Sequence, residues 1–302
     1  FVGLMSSGTI TNGVVTGATV TSGGDYVGGF VGKVSAGASN VVITGSRSSS
    51  AVTVTNGDFV AGFAGEIAEA GGNANITSSY ATGNISGNIY VGGFVGNLAS
   101  GEIETNVSTT RTYATGAVSG VQYVGGFAGQ ANTDDADIYN AYATGNVTGS
   151  STSTTLDAGG ANIGGFAGII YAGADVKHSY ATGQVSGAGY QVGGFAGFIG
   201  HATYTGINPA EITNCYATGN VTSTTDYFGG FAGRTYNRAT IIDSYAKGNV
   251  SKNVTGGNYA GGFIGSIKNN TDLQRNYAQG NVTGTSRVGG FVGNYEYIAT
   301  IA

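Results

Sequence analysis

Cysteine, proline, methionine and tryptophan are almost missing from this chain of 302 residues. It contains one cysteine, one proline, one methionine and no tryptophan. Because a disulfide or a cysteine-based metal site needs more than one thiol, Cys215 alone provides neither within the chain. Charge is also scarce, since charged residues make up 9% of the sequence, against about 25% in an average soluble domain.

The little charge that is present excludes several partners. There are 11 basic residues against 16 acidic ones, without a basic run, so we predict no nucleic-acid partner. No apolar stretch approaches the roughly 20 residues that cross a bilayer, so we predict no membrane span.

The many Ser, Thr, Asn and Gly residues favour an extracellular protein. The sequence starts at Phe1 without a signal peptide, and we interpret it as a processed or excised piece.

A short element, Gly-Gly-Phe-[Val/Ala/Ile]-Gly, recurs along the whole chain. Its nine intervals average about 32 residues and range from 28 to 39. No composition break divides the array, so we predict a single continuous repeat domain over residues 1–302. The phenylalanines of the element are Phe30, Phe94, Phe127, Phe166, Phe195, Phe231, Phe263 and Phe291, with a variant copy at Phe63 and a partial copy at Phe1.

A second element, Tyr-Ala-Thr-Gly-Asn-Val-[Ser/Thr], precedes most copies of the first. Both elements alternate with a period of two and are rich in β-branched and aromatic residues, which predicts strands. A third short segment, such as Ala74-Asn75-Ile76, precedes each tyrosine. We therefore predict three short strands per repeat and no helix. The tyrosines of the second element are Tyr80, Tyr113, Tyr142, Tyr180, Tyr216, Tyr245 and Tyr277.

These repeats predict an all-β, right-handed parallel β-solenoid of about nine coils. Equivalent residues of stacked coils lie about 4.8 Å apart, so the phenylalanines and the tyrosines are expected to form two ladders. The glycines beside each phenylalanine are expected to leave room for the ring and to let the backbone turn corners. Propeller blades need four strands and roughly 40–50 residues, which makes a propeller the weaker alternative. A possible asparagine ladder comprises Asn84, Asn146, Asn220, Asn249 and Asn281.

The Gly-Phe-[Val/Ala/Ile]-Gly element with its trailing Tyr-Ala-Thr-Gly-Asn-Val resembles the GLUG repeat, with Phe where the name has Leu. The resemblance covers essentially the whole chain. It implies a non-catalytic repeat region of a large secreted or surface-anchored microbial protein, such as adhesins of filamentous-haemagglutinin type and some immunoglobulin A proteases. It carries no catalytic residues and implies no cofactor.

Few residues suggest chemistry of their own. The acidic cluster Asp134-Asp135-Ala136-Asp137 is interpreted as a solvated loop in one insertion. His178 and His201 lack partners at metal-ligand spacing, and Cys215 occupies a position that other repeats fill with serine. We therefore predict no catalytic residue and no metal site, while the binding residues stay unassigned.

Three surface patterns leave further alternatives open. A file of threonines, interrupted at Lys247 and Gln279, raises ice or crystal-face binding. Asn253 and Asn269 are candidate glycan acceptors. A last group of tyrosines is expected in exposed loops, where it could contact sugars or proteins. The threonines are Thr82, Thr115, Thr144, Thr182 and Thr218, and the tyrosines are Tyr171, Tyr204, Tyr236 and Tyr295.

The sequence as a whole favours a structural and adhesive role. The predicted function is a stiff, non-catalytic extracellular segment of a surface adhesin or of a self-stacking filament. Its partners are expected to be other copies of itself, flanking repeats of the same chain, or a host-surface or glycan ligand. The alternative is a solenoid that binds or cleaves polysaccharides. That alternative requires the loops at residues 134–137, 150–157 and 201–208 to gather on one side.

Overall fold

The computed structural model describes residues 2–37, 39–69, 73–104, 110–132, 136–151, 160–201, 208–252 and 259–296. These residues form 45 strands and no helix. The strands build an all-β parallel solenoid, as predicted, with five sheets that run along its length. We number the sheets I to V in the order in which the chain visits them within one coil.

Sheets V and I contain the Gly-Gly-Phe element, because sheet V ends just before each phenylalanine and sheet I begins just after it. Sheet V comprises Val27–Gly28, Val60–Ala61, Ile89–Gly92, Gln122–Gly125, Asn162–Gly164, Gln191–Gly193, Tyr227–Gly229, Tyr259–Gly261 and Val288–Gly289. Sheet I comprises Val2–Met5, Val31–Ala36, Ala64–Glu69, Val95–Leu98, Ala128–Ala131, Ala167–Tyr171, Ala196–Gly200, Ala232–Tyr236, Ile264–Lys268 and Val292–Glu296.

Sheet II is formed by the third short segment of each repeat. It comprises Gly8–Thr11, Val41–Thr44, Ala74–Thr77, Gly101–Ile103, Ala136–Tyr139, Asp175–Lys177, Ala210–Thr213, Ala239–Ile242 and Thr271–Gln274.

Sheets III and IV share the tyrosine element, which bends between them at its Gly-Asn pair. Sheet III comprises Val14–Val15, Arg47–Ser48, Tyr80–Ala81, Thr112–Ala114, Ala141–Ala143, Tyr180–Ala181, Tyr216–Ala217, Tyr245–Ala246 and Tyr277–Ala278. Sheet IV comprises Thr19–Ser22, Ala51–Val54, Ile85–Ser86, Val118–Gly120, Val147–Gly149, Val185–Gly187, Val221–Ser223 and Val250–Lys252.

The prediction of three strands per coil is wrong, because each coil has five. Both motifs that looked like single strands contain a corner, and the period-two alternation runs through that corner without a break. In one repeat the tyrosine element divides into Tyr80–Ala81 and Ile85–Ser86. Sheet IV has eight strands, so eight coils carry all five strands in the described residues, slightly fewer than the nine expected.

The two predicted aromatic ladders are present. Ring centroids of successive ladder phenylalanines lie 4.6 to 5.0 Å apart from Phe30 to Phe291, and the rings are nearly parallel. The tyrosine ladder from Tyr80 to Tyr277 has spacings of 4.7 to 5.0 Å. The phenylalanines from Phe30 to Phe263 are fully buried, whereas the tyrosines are mostly half-buried on the outer surface.

The interior contains two separate apolar clusters. The larger one holds the phenylalanine ladder with alanine, valine and isoleucine side chains of sheets I, II and III. The smaller one consists mainly of valines from sheets IV and V, such as Val118 and Val124. Between them the coil is narrow, because the second glycine of Gly-Gly-Phe lies against the alanine of Tyr-Ala-Thr.

This narrow point explains why the two motifs occur together. A Cβ built on Gly93 would lie 2.9 Å from Cβ of Ala114 and would overlap the carbonyl oxygen of Gly126 in the next coil. The same alanine contact recurs at Gly126, whose built Cβ would lie 3.0 Å from Cβ of Ala143. The expectation that these glycines make room for the phenylalanine ring is therefore wrong. They are required because backbones of neighbouring coils and strands approach closely.

Polar side chains also link one coil to the next. The predicted asparagine ladder is present, but the side chains bond to backbone rather than to one another. Oδ1 of Asn84 accepts a hydrogen bond from the Ala117 N–H at 3.0 Å, and Oδ1 of Asn220 accepts one from the Asn249 N–H at 2.9 Å. Asn146 and Asn249 accept in the same way from the Gln184 and Asn281 N–H groups, so these four asparagines satisfy backbone donors at the corner between sheets III and IV.

Candidate functional site

The acidic cluster at residues 134–137 is not a loop throughout. Asp137 lies in the sheet II strand Ala136–Tyr139, while Asp134 and Asp135 lie outside the described residues. Asp137 is in register with Glu102 on one side and Asp175 on the other, and Asp175 pairs with Glu211. Four successive coils therefore carry a carboxylate at one position of sheet II.

Partial burial and like charges raise the pKa of two carboxyls in this file. Partial burial, and then repulsion from Asp175, raise the pKa of Asp137. Partial burial, and then Asp137, raise the pKa of Glu102. Lys177 offsets part of the repulsion, with Nζ 2.7 Å from Asp175 Oδ2 and 3.4 Å from Glu211 Oε2. Among the described residues, no group of three or more His, Cys, Asp or Glu is placed to hold a metal ion.

The two histidines lie at different corners of the coil. His178 is exposed and follows a sheet II strand in the left-handed region, with φ of 53°. His201 follows the sheet I strand Ala196–Gly200, and its ring centroid lies 5.5 Å from that of Tyr171. Burial lowers the pKa of His201. The structure does not bring the two histidines to one site.

Cys215 occupies a serine position of the coil, as predicted. It is fully buried, and its Sγ lies 3.4 Å from the carbonyl oxygens of Val176 and Thr213. Ser179 and Ser244 bond in the same way to the carbonyl two residues earlier. Burial raises the pKa of the Cys215 thiol to about 12, so it is not an activated nucleophile at neutral pH.

The threonine file directly follows the sheet III strands, two residues after each ladder tyrosine. Thr82, Thr115, Thr144 and Thr182 are exposed, and Thr218 is partly exposed. Ice or crystal-face binding stays a prediction. Asn269 lies in a turn with φ of 59°, whereas Asn253 lies outside the described residues.

A second set of side chains lies on the outer face of sheets V and I, and its pattern in the early coils differs from its pattern in the central coils. In the early coils a stacked aromatic file, Tyr26 to Tyr123, lies beside a polar file on sheet I. In that polar file, Lys33 Nζ lies 2.6 Å from Glu66 Oε2, and Nδ2 of Asn97 donates to Glu66 Oε1 at 3.1 Å. The Lys33 ammonium also lies 4.4 Å from the centroid of the Tyr26 ring.

The central coils reverse this arrangement. On sheet V, Asn162 and Gln191 are register neighbours and take the positions of the aromatic residues. On sheet I, Ile169 and Phe198 are register neighbours and take the positions of the polar residues. The reversal ends one coil later, where Arg234 lies over the Tyr227 ring at 4.9 Å. Backbone conformation changes as well, because Tyr90 and Tyr123 have positive φ whereas Asn162 and Gln191 are in extended strands.

The departing side chains form one outer cluster. It is defined here as Tyr123, Asn162, Ile169, Tyr171, Gln191, Phe198, Tyr227, Arg234 and Tyr236. Tyr123, Ile169 and Phe198 are buried against one another, and Tyr171 and Tyr236 are partly buried beside them. Burial raises the pKa of Tyr171 to about 12, so its phenol keeps its proton at neutral pH. The Arg234 guanidinium carbon also lies 5.6 Å from the centroid of the Tyr236 ring.

Comparison with known protein families gives a match in the central part of the chain, which includes most of the outer cluster. Residues 120–148, 159–186 and 188–222 match the GLUG motif. These three segments are similar to GLUG repeats. They include both the coils with the regular arrangement at Tyr123 and the coils that carry Asn162 and Gln191. No curated protein and no solved structure matches the chain.

Within the segments that match the GLUG motif, the amides of the outer cluster are buried without partners. Asn162 and Gln191 are both completely inaccessible to solvent. Neither polar atom of either amide has a hydrogen-bond partner among the described residues. By contrast, Asn97 in a regular coil is also buried, but its Nδ2 donates to Glu66 and only its Oδ1 lacks a partner. Buried polar groups without partners are rare and require an explanation.

The sequence located this region only in part. Tyr171 and Tyr236 were expected in exposed loops, but both end sheet I strands and are partly buried. Tyr295 also lies in a strand and is 61% exposed, while Tyr204 lies outside the described residues. Asn162 and Gln191 were missed. An alignment of the repeats contains the signal that could have found them, because Asn162 and Gln191 stand at a position that is aromatic in most other repeats.

The polysaccharide alternative requires the loops at residues 134–137, 150–157 and 201–208 to gather on one side, and most of these residues lie outside those that the structure describes. Residues 152–157 and 202–207 lie outside the described ranges. The described strands on either side show that the first insertion joins sheet IV to sheet V and that the second joins sheet I to sheet II.

Proposed function

We propose that this chain is a structural, non-catalytic repeat region of an extracellular surface adhesin or filament. The observation that supports this proposal is the phenylalanine ladder, which continues through nine described rings without a gap. Each coil stacks on its neighbour through rings and through parallel backbone hydrogen bonds. Such an array resists bending and local opening, because separating two coils breaks contacts in all five sheets.

The location and partners of the chain belong to the same proposal. GLUG repeats occur in surface or secreted proteins, which supports an extracellular location. No helix in the described residues is long and apolar enough to cross a membrane. We expect contacts with flanking repeats or with further copies of the chain, and with a host surface or a glycan. The role needs no cofactor, because it depends on packing alone.

Electron microscopy of the purified chain, with limited proteolysis, tests the structural role. We expect narrow rods of uniform width that resist trypsin and thermolysin between the insertions. End-to-end fibres support a filament subunit, and separate short rods support an adhesin segment. Irregular or globular particles that proteases degrade throughout contradict the proposal. Antibody labelling of intact cells of the source organism tests the location, and labelling that requires cell lysis contradicts it.

The outer cluster favours polysaccharide binding as a second candidate function. Tyrosine rings and side-chain amides are the groups by which proteins commonly contact sugars, since the rings offer apolar faces and the amides offer donors and acceptors. Incubating the protein with polysaccharides of varied linkage, and measuring both retention and release of reducing ends, separates binding from cleavage. We expect retention without release, and release that grows with protein concentration contradicts a non-catalytic role.

A further inference from the structure

The amides of Asn162 and Gln191 are arranged at a stability cost. Four polar atoms have been removed from water without a hydrogen bond among the described residues. Each such atom destabilises the fold, because the unfolded chain bonds it to water. The neighbouring coils show that the fold has a cheaper solution, since Tyr227 and Tyr259 fill the same register positions with rings stacked 4.5 Å apart. A local departure that lowers stability is typical of a functional site.

The groups around the amides indicate which ligand they fit. Asn162 contacts the strand that carries Phe198, because a Cβ built on Gly197 would lie 2.7 Å from its carbonyl carbon. Gln191 contacts the strand that carries Arg234 and Tyr236 in the same way, through Gly233 at 2.9 Å. These are contacts of the backbone. The two amides lie on sheet V between the strands that carry Tyr123 and Tyr227. Tyr123 packs against Ile169 and Phe198, and the Arg234 guanidinium lies over the Tyr227 ring.

An amide offers a donor and an acceptor side by side, and a sugar hydroxyl both donates and accepts. A carboxylate only accepts hydrogen bonds and an ammonium only donates them, so neither satisfies both the N–H and the C=O group of an amide. We propose that Asn162 and Gln191 recognise hydroxyl groups of a saccharide unit held against the rings of Tyr171 and Tyr236. This inference rests on the second candidate function and names its binding residues.

The burial of both amides has a kinetic consequence. Because both amides are inaccessible to solvent, a ligand reaches them only after a local rearrangement, so we expect association to be slower than for an open surface site. We expect binding that equilibrates in seconds rather than within the mixing time of a stopped-flow instrument.

The test uses apolar variants of similar shape, Asn162→Leu and Gln191→Met, alone and combined in the full chain. Removing a buried polar group that has no partner does not weaken the fold, so we expect a Tm within about 2 °C of the parent, or higher. Asn97→Leu is the matched control, because it makes the same change where the amide is bonded to Glu66. We expect this control to lower the Tm and to leave ligand binding unchanged.

Binding is measured on an array of neutral and acidic oligosaccharides, and hits are repeated by calorimetry. We expect the parent to bind at least one neutral oligosaccharide, and the combined variant to bind it at least about tenfold more weakly. A parent that binds no saccharide, or variants that bind as the parent does, overturns the inference. A lower Tm for either variant also overturns it, because the amides then have partners within the fold. Unchanged binding by the variants overturns the inference alone, whereas a parent that binds no saccharide also overturns the second candidate function. Neither outcome alters the rods expected in electron microscopy.

Discussion

The inside of the coil repeats almost without change, whereas its outer face differs from one coil to the next. Inside, each ladder ring stacks on the next from Phe30 to Phe291, and the second glycine of the motif lies against an alanine from Gly62 to Gly262. Outside, the file on sheet I changes from charged to amide to apolar residues, as in Glu66, Gln130 and Phe198. Positions that contact the next coil are constrained by it, and positions that face outward are free to acquire a function.

The largest effect is expected for an inner glycine at the narrow point. Gly126→Ala places a Cβ where it overlaps the carbonyl oxygen of Gly165, and no side-chain rotation removes that overlap. We expect a loss of about 3 kcal/mol or more in the free energy of unfolding, measured by denaturant titration. Gly290→Ala is the matched control, because the same motif position there has no atom within 4 Å. Equal losses for the two variants would show that coil-to-coil contact is not the cause.

A ladder ring comes next in size. Phe127→Ala removes a fully buried side chain that lies 5.0 Å from both Phe94 and Phe166, and we expect a loss of about 4 kcal/mol. Phe291 is only partly buried and stacks on Phe263, so Phe291→Ala should cost roughly half as much. Thermal unfolding of both variants measures the difference, and a smaller effect at Phe127 than at Phe291 contradicts the ladder.

The outer carboxylate file should respond to pH in the opposite sense to a salt bridge. The folded chain raises the pKa of Asp137, so it binds a proton more readily than the unfolded chain, whose aspartate has a pKa of 3.8. Stability contributed by this group therefore rises as pH falls through the folded pKa, and the gain is complete below 3.8. Glu102, Asp175, Tyr139 and Lys177 face the same carboxyl and set the size of the effect.

Asp137→Asn removes this charge and is expected to raise stability at neutral pH by less than about 1 kcal/mol, because partly exposed charges are screened. The difference between variant and parent should shrink as pH falls towards 3.8. Urea titrations at several pH values measure it. A difference that grows on acidification shows that Asp137 acts mainly through Lys177.

The smallest effect on stability is expected at Cys215, because this buried position accepts small side chains of similar size. Serine fills the same position at Ser179 and Ser244, so Cys215→Ser should change stability by about 1 kcal/mol or less. The parent thiol should react with a thiol reagent only after unfolding, because it is fully buried. Rapid labelling of the folded chain contradicts this placement.

The sequence predicts the parts of this fold that stacking makes periodic. Phe127 and Tyr142 recur because each ring lies on its equivalent, so their spacing alone indicates a solenoid. The corners within each motif could not be predicted, because the alternation that marks a strand continues through Gly83 and Asn84. Asn162 and Gln191 escaped prediction for a different reason. Repeats are recognised by the residues that recur, whereas Asn162 and Gln191 are residues at which two coils differ from the others.

The stacking of aromatic rings from coil to coil is tested most directly by a crystal structure of the chain. We expect the rings of Phe94, Phe127 and Phe166 to lie nearly parallel, with successive centroids about 5.0 Å apart and parallel strands on either side. Ring centroids more than about 7 Å apart, or antiparallel pairing of Val95–Leu98 with Ala128–Ala131, would contradict the account.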